Sequence, residues 1–219
     1  MYIPASFRVE NPAVLHDLMR QFSFATLVTN DDNGRPFASH LPFLLDAERG
    51  PHGTLRAHMA RANPQWRQFR EGSEALVIFQ GPHAYISPSW YEVHPSVPTW
   101  NYAVVHAYGV PRLLGEEALY LMLKDLVNTY ESGFERPWSF DEAEAHVGSM
   151  LRAIVGFDIE ITRLEGKFKL SQNRSQADKE RVIAALEQAA DPFSAELAAW
   201  MRDSMPSGDG SAGSPDRRK

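Results

Sequence analysis

Two hydrophobic periods alternate along the first third of the chain. Val14, Leu15, Leu18, Met19 and Phe22 recur at helical spacing behind Asn11-Pro12, where Asn can serve as N-cap and Pro as the first helical residue. Residues 24–30 then read as a strand. Asp31-Asp32-Asn33-Gly34 reads as a tight turn, because Asn-Gly accepts positive φ, and residues 37–45 as the returning strand. Residues 55–59 give a third strand. Asn63-Pro64 repeats the cap-and-proline pair ahead of a helix that carries Trp66, Phe69 and Arg70 and stops at Gly72.

Apolar runs at 75–79 and 84–86 flank Gln80-Gly81-Pro82, a pattern that predicts a bend or hairpin. Residues 87–98 hold three prolines beside Trp90, Tyr91 and His94, which argues against regular structure and for a loop packed on something. Downstream, a strand is expected over 104–114, amphipathic helices over 116–130 and 141–152, and a strand over 154–164. Ser175 with Asp178 caps a helix bearing Val182, Ile183 and Leu186, and Asp191-Pro192 starts the last helix. Residues 206–219 carry Ser, Gly, Pro, Asp and basic residues with no apolar face, so a disordered tail is expected. Many short strands with helices gathered late favour an α+β closed or partly closed barrel, forming one domain over 1–205, rather than a doubly wound sheet.

Composition narrows the function. The 219 residues are 43% hydrophobic and 23% charged, as in ordinary globular proteins. The net charge of −6 opposes broad contact with nucleic acid or anionic membrane. With no Cys there is no thiol nucleophile, disulfide or Cys-ligated metal. No apolar run is long enough for a membrane helix, and the start lacks a signal-like charged and apolar pair of regions, so a cytoplasmic chain is expected.

Walker A, GxGxxG, HExxH and GxSxG sequences are absent, and the eight His residues form no i, i+3 or i+4 pair. Charge is locally more telling. Residues 56–74 hold four basic against two acidic side chains, and residues 163–181 six against three. In the first island Arg61 and Ala62 precede the helix start at Asn63, where free N–H groups and the helix dipole favour an anion. The plainer reading makes Arg61 a solvated side chain and Asn63 only a cap. Trp66, Trp90, Tyr91, Trp100 and Tyr102 lie among Gln80, Ser87, Ser89, Thr99 and Asn101, which suits a flat heteroaromatic ligand or, equally, an aromatic core or oligomer interface.

Several longer stretches carry a resemblance. They are Met-Tyr-Ile-Pro at 1–4, His-Leu-Pro-Phe at 40–43, His-Met-Ala-Arg-Ala-Asn-Pro-Gln-Trp at 58–66, the run from Ala75 through Gln80-Gly-Pro to Tyr91, Val-Pro-Thr-Trp-Asn-Tyr at 97–102, and Leu-Glu-Gly-Lys-Phe-Lys-Leu-Ser-Gln-Asn at 164–173. Together they resemble the PaiB family, described as FMN-binding negative transcriptional regulators. The resemblance spans residues 1–205. It implies a split β-barrel like that of pyridoxamine-phosphate oxidase, normally a homodimer with flavin between subunits. It further implies that Arg61, Ala62 and Asn63 hold the FMN phosphate and that Gln80 reaches the isoalloxazine. Trp100, Asn101 and Lys167 are implied as further contacts, from the same or the other subunit.

Two rivals share the expected fold: a flavin-dependent oxidoreductase acting on a small substrate, and a haem protein with His58 or His106 as axial ligand. No acid/base pair in the sequence dictates a reaction. The helices at 116–130 and 141–152 carry more acid than base, so direct DNA binding is expected to be weak and salt-sensitive.

Overall fold

The computed structural model describes residues 1–140 and 144–205; the expected tail at 206–219 lies outside the described residues. The chain forms two compact units. One comprises Met1–Gly81 and Ala103–Phe168; the other comprises Pro82–Tyr102 and Lys169–Lys219.

In the first unit α1 (Pro12–Gln21) starts as the sequence predicts, with the Asn11 side chain accepting the Ala13 N–H at 3.0 Å. β2 (Phe24–Asn30) and β3 (Pro36–Pro42) pair antiparallel, Thr26 opposite His40, across a turn in which Gly34 has φ +74°. The predicted returning strand does not continue to residue 45. It breaks at Phe43, so that β4 (Leu44–Asp46) joins β5 (Thr54–Ala60) in a second sheet. The Phe43 ring lies 5.9 Å from Phe79 and 6.2 Å from Phe157, which come from the two different sheets. Around these rings Leu18, Leu27, Leu55, Val77 and Ile159 are buried, forming the core.

The 75–86 region also differs from expectation. It is one strand, β6 (Ala75–Ile86), not two around a hairpin. Gly81 and Pro82 are both buried, so the in-and-out alternation shifts phase there. A Cβ on Gly81 would stand 3.2 Å from the Ala103 carbonyl oxygen, which is why glycine suits the close approach. β7 (Thr99–Gly109), β8 (Pro111–Leu113), β9 (Ile154–Glu160) and β10 (Arg163–Lys169) complete the set with β1 (Arg8–Val9). The six-stranded sheet runs β1-β10-β7-β6-β2-β3, and the four-stranded sheet runs β4-β5-β9-β8. The predicted strand over 154–164 is therefore divided between sheets. α2 (Glu116–Glu131) and α3 (Glu144–Arg152) share an apolar cluster of Leu119, Met122, Leu123, Phe140, Val147 and Leu151. Residues 141–143 of the predicted third helix lie outside the described residues.

The second unit packs α4 (Gln176–Glu187) on α5 (Pro192–Asp203) through Val182, Ile183, Leu186, Leu197 and Met201. Their caps, Ser175 and Asp191, are those read from sequence. The Pro-rich loop is pinned here. Buried Asp178 accepts the Glu92 N–H at 2.7 Å, and the Arg174 guanidinium lies 4.1 Å from the centre of the Tyr91 ring.

Candidate functional site

The turn after β5 is built by a sequence of local bonds. Asn63 caps a 3-10 turn, Pro64–Gln68, shorter than the helix predicted there, and its side-chain oxygen accepts the Gln65 N–H at 3.0 Å. The Asn63 amide nitrogen donates to Ser39 Oγ at 2.8 Å. Gln65, fully buried, donates from Nε2 to the carbonyls of Leu27 and Phe37 and to Thr29 Oγ1 at 3.0–3.2 Å. Thr29 in turn donates to Gln68 Oε1 at 2.6 Å. These bonds clasp the turn to the β2–β3 hairpin.

The clasp fixes Arg61. Its backbone N–H donates to the Ala153 carbonyl at 2.8 Å, Nε to the Arg152 carbonyl at 2.7 Å, and Nη2 to the Ile154 carbonyl at 2.8 Å. Its own carbonyl accepts the Trp66 indole N–H at 3.0 Å. Nη1 and the exposed Ala62 N–H carry no partner among the described residues. Arg61 thus combines both sequence readings: it is held structurally, yet it keeps a donor edge free. Asn63 acts through its cap and its bond to Ser39, shaping the turn.

Arg61, Trp66 and Arg152, with the carboxylate-bearing Glu116, line a cleft of about 190 Å³ whose apolar wall includes Leu114, Leu119, Leu151 and Ile154. A larger cleft of about 380 Å³, beside Ile3, Val9, Leu15 and Glu165, contains none of the predicted site residues. The donor set at the Arg61 corner suits a phosphate monoester, which needs preoriented N–H groups and positive charge.

The other predicted residues lie elsewhere. Gln80 is exposed on β6 and Lys167 lies on β10 opposite Arg8, its Nζ 5.5 Å from the Tyr2 ring centre; both strands belong to the six-stranded sheet, whereas Arg61 leaves the four-stranded one. In the second unit Trp100 is 53% exposed, with its ring 6.0 Å from Tyr85 and 6.3 Å from His83. Its neighbour Asn101 is buried, donating to Ser171 Oγ at 2.8 Å, while its Oδ1 has no partner. Among the histidines, burial lowers the pKa of His58, whose Nδ1 is buried without a partner. His106 is also lowered, by burial and then by the N-terminal ammonium, and its Nδ1 lies 3.4 Å from the Tyr108 hydroxyl.

Arg152, Gln65 and Gln68 escaped the sequence reading. A glutamine directly behind the cap-and-proline pair, on a turn between strands, was the available signal for the clasp. Nothing local marks Arg152, because its nearness to Arg61 follows from the pairing of β5 with β9, Ala60 opposite Ile154.

Comparison with known proteins bears on this geometry. Residues 1–163 match the family model described as "Putative FMN-binding domain". The chain is 38% identical over 206 residues to Protease synthase and sporulation protein PAI 2 of Bacillus subtilis, covering 94% of this chain and 98% of that one. It is 33% identical to the protein AN0679 of Emericella nidulans, covering 85% and 90%. Among solved structures, the FAD and heme binding protein of Mycobacterium smegmatis aligns with a TM-score of 0.56 at 18% identity, over 96% of this chain and 93% of that one. Rv2991 of Mycobacterium tuberculosis aligns with a TM-score of 0.57 at 15% identity, over 80% and 95%. Fold and family model together define an FMN-binding α+β protein of the split-barrel class. The 38% relationship narrows the class: the chain belongs to the PaiB family.

Proposed function

We propose that the chain is a cytoplasmic, homodimeric negative regulator whose Arg61 guanidinium and Ala62 N–H hold the phosphate of FMN. The observation that carries the reading is the Arg61 corner, where two backbone carbonyls orient the guanidinium and leave Nη1 free. Asn63 keeps the turn in shape. Gln80 is assigned to the isoalloxazine, and Lys167, Trp100 and Asn101 to a flavin held by the partner copy. Bound flavin supplies electron or hydride transfer; the protein's part is to bind and orient it.

The six-stranded sheet supports the dimer. Thr26, Val28, Leu76, Ile78 and Val104 remain partly exposed on its outer face, and Phe24 is 70% exposed. An apolar sheet face of this kind suits a second copy. The acidic chain supports regulation through a partner or through cofactor-linked metabolism, without direct tight DNA binding. Calorimetry on flavin-free protein is expected to give FMN about ten- to a hundredfold tighter than riboflavin, reflecting charge-assisted bonds to phosphate. Equal affinities would overturn the phosphate assignment. Sequence-specific nanomolar DNA binding at about 150 mM salt would overturn the indirect mode of regulation.

A further inference from the structure

We infer that Arg152, at the C-terminal end of α3, is the second guanidinium of the phosphate site and sets the preference for a phosphorylated flavin; the inference rests on the Arg61 reading above. Three bonds from Arg61 reach residues 152–154, so the chain that carries Arg152 is clamped directly beside Arg61. Both side chains line the same cleft, and with Glu116 there too the two guanidiniums leave it a net positive charge of one. Arg61 spends Nε and Nη2 on carbonyls, whereas the exposed Arg152 side chain makes no hydrogen bond or ion pair among the described residues. One guanidinium is thus anchored and the other available.

A second observation concerns Gly148. A Cβ built there would meet Arg152 Nη1 at 3.7 Å, an ordinary contact that alanine would also make, so the Arg152 guanidinium lies over position 148, one turn earlier in α3. A large side chain at 148 would occupy that lane and push the guanidinium aside.

The pairing also accounts for the ligand's chemical class. A phosphate monoester near neutral pH carries close to two negative charges and several acceptor oxygens, more than the free edge of Arg61 satisfies. A second guanidinium with no partner among the described residues matches that demand, while riboflavin offers it nothing to grip.

The test is a titration of full-length, flavin-free protein with FMN and riboflavin, with the unfolding midpoint measured for every variant. Arg152→Ala is expected to weaken FMN about ten- to a hundredfold while leaving riboflavin within about twofold. Arg152→Lys should recover part of the loss, and Gly148→Leu should mimic Arg152→Ala with the arginine still present. Inorganic phosphate should compete with FMN less effectively in Arg152→Ala than in the parent protein. If Arg61→Ala abolishes the preference for FMN but Arg152→Ala leaves it intact, the inference fails and the Arg61 reading stands. If neither variant changes the preference, the Arg61 reading fails as well.

Discussion

The outward side of β5, β8 and β9 in one sheet and that of β2 and β6 in the other are finished in different ways. On the four-stranded sheet the outward row is charged: Arg56 stands opposite Asp158, and Asp158 opposite Arg112. Arg49 also pairs with Asp158, and Arg56 reaches Asp125 on α2 at 2.7 Å. On the six-stranded sheet the outward row is apolar only at its centre, with Ile78 opposite Thr26 and Val28 opposite Leu76, all partly exposed, while Arg163, Glu165 and Lys167 occupy β10 of the same sheet. A solvated or helix-roofed face tolerates arginines, because their stems pack while their heads find carboxylates. An apolar strip left open has no such solution within one chain, and in the dimer proposed above it is the strip that a second copy would cover.

The most severe way to break this comparison is Ile78→Asp. A carboxylate buried unpaired at an interface costs about 3 to 5 kcal/mol, so light scattering at micromolar concentration should show the variant as a folded monomer and the parent as a dimer. A parent protein that is itself monomeric would mean that the apolar row simply faces water.

A smaller effect separates the faces by pH. His58, on the outward row of β5, is held below its ordinary pKa by burial, so the unfolded chain takes up this proton more readily than the folded one. Its contribution to stability is therefore full above about pH 6.5 and falls as the pH drops from there toward the folded value. Urea unfolding at about pH 7.5 and pH 5.5 should show a shallower loss in His58→Gln than in the parent. Parallel losses would remove His58 from the account and leave His106, also lowered, as the source.

The least effect is expected from Asp125→Ala. Its carboxylate is 54% exposed, so losing the pair with Arg56 should cost only about 0.5 kcal/mol and leave the association state unchanged. Chemical denaturation of the two proteins side by side checks this, and a change in oligomeric state would blur the distinction between the faces.

Helix caps were the most legible part of the sequence. Asn11, Ser175 and Asp191 each bind the N–H groups their positions promised, because capping depends on neighbours within a few residues. Asn63 capped as expected but opened a five-residue 3-10 turn instead of a helix, since Gln65 is drawn away into the sheet. Strand ends were less legible. The change of sheet at Phe43 and the passage of β6 through Gly81-Pro82 depend on what stands across the sheet, such as the Ala103 carbonyl. For the site, the Arg61 to Asn63 turn was readable as a motif, while Arg152 needed the β5–β9 pairing.

The Gln65 clasp has a bearing on how such chains diverge by insertion and deletion. One amide holds Leu27, Thr29 and Phe37 at once, and Asn63 holds Ser39. An extra residue within either strand would move at least one of these partners out of reach, and a buried acceptor would lose its donor. The Asp31–Gly34 tip lies beyond the clasp, and a Cβ on Gly34 meets nothing within 4 Å. Length changes that survive in this hairpin should therefore collect at its tip, and an alignment gap placed between Leu27 and Thr29 would be misplaced.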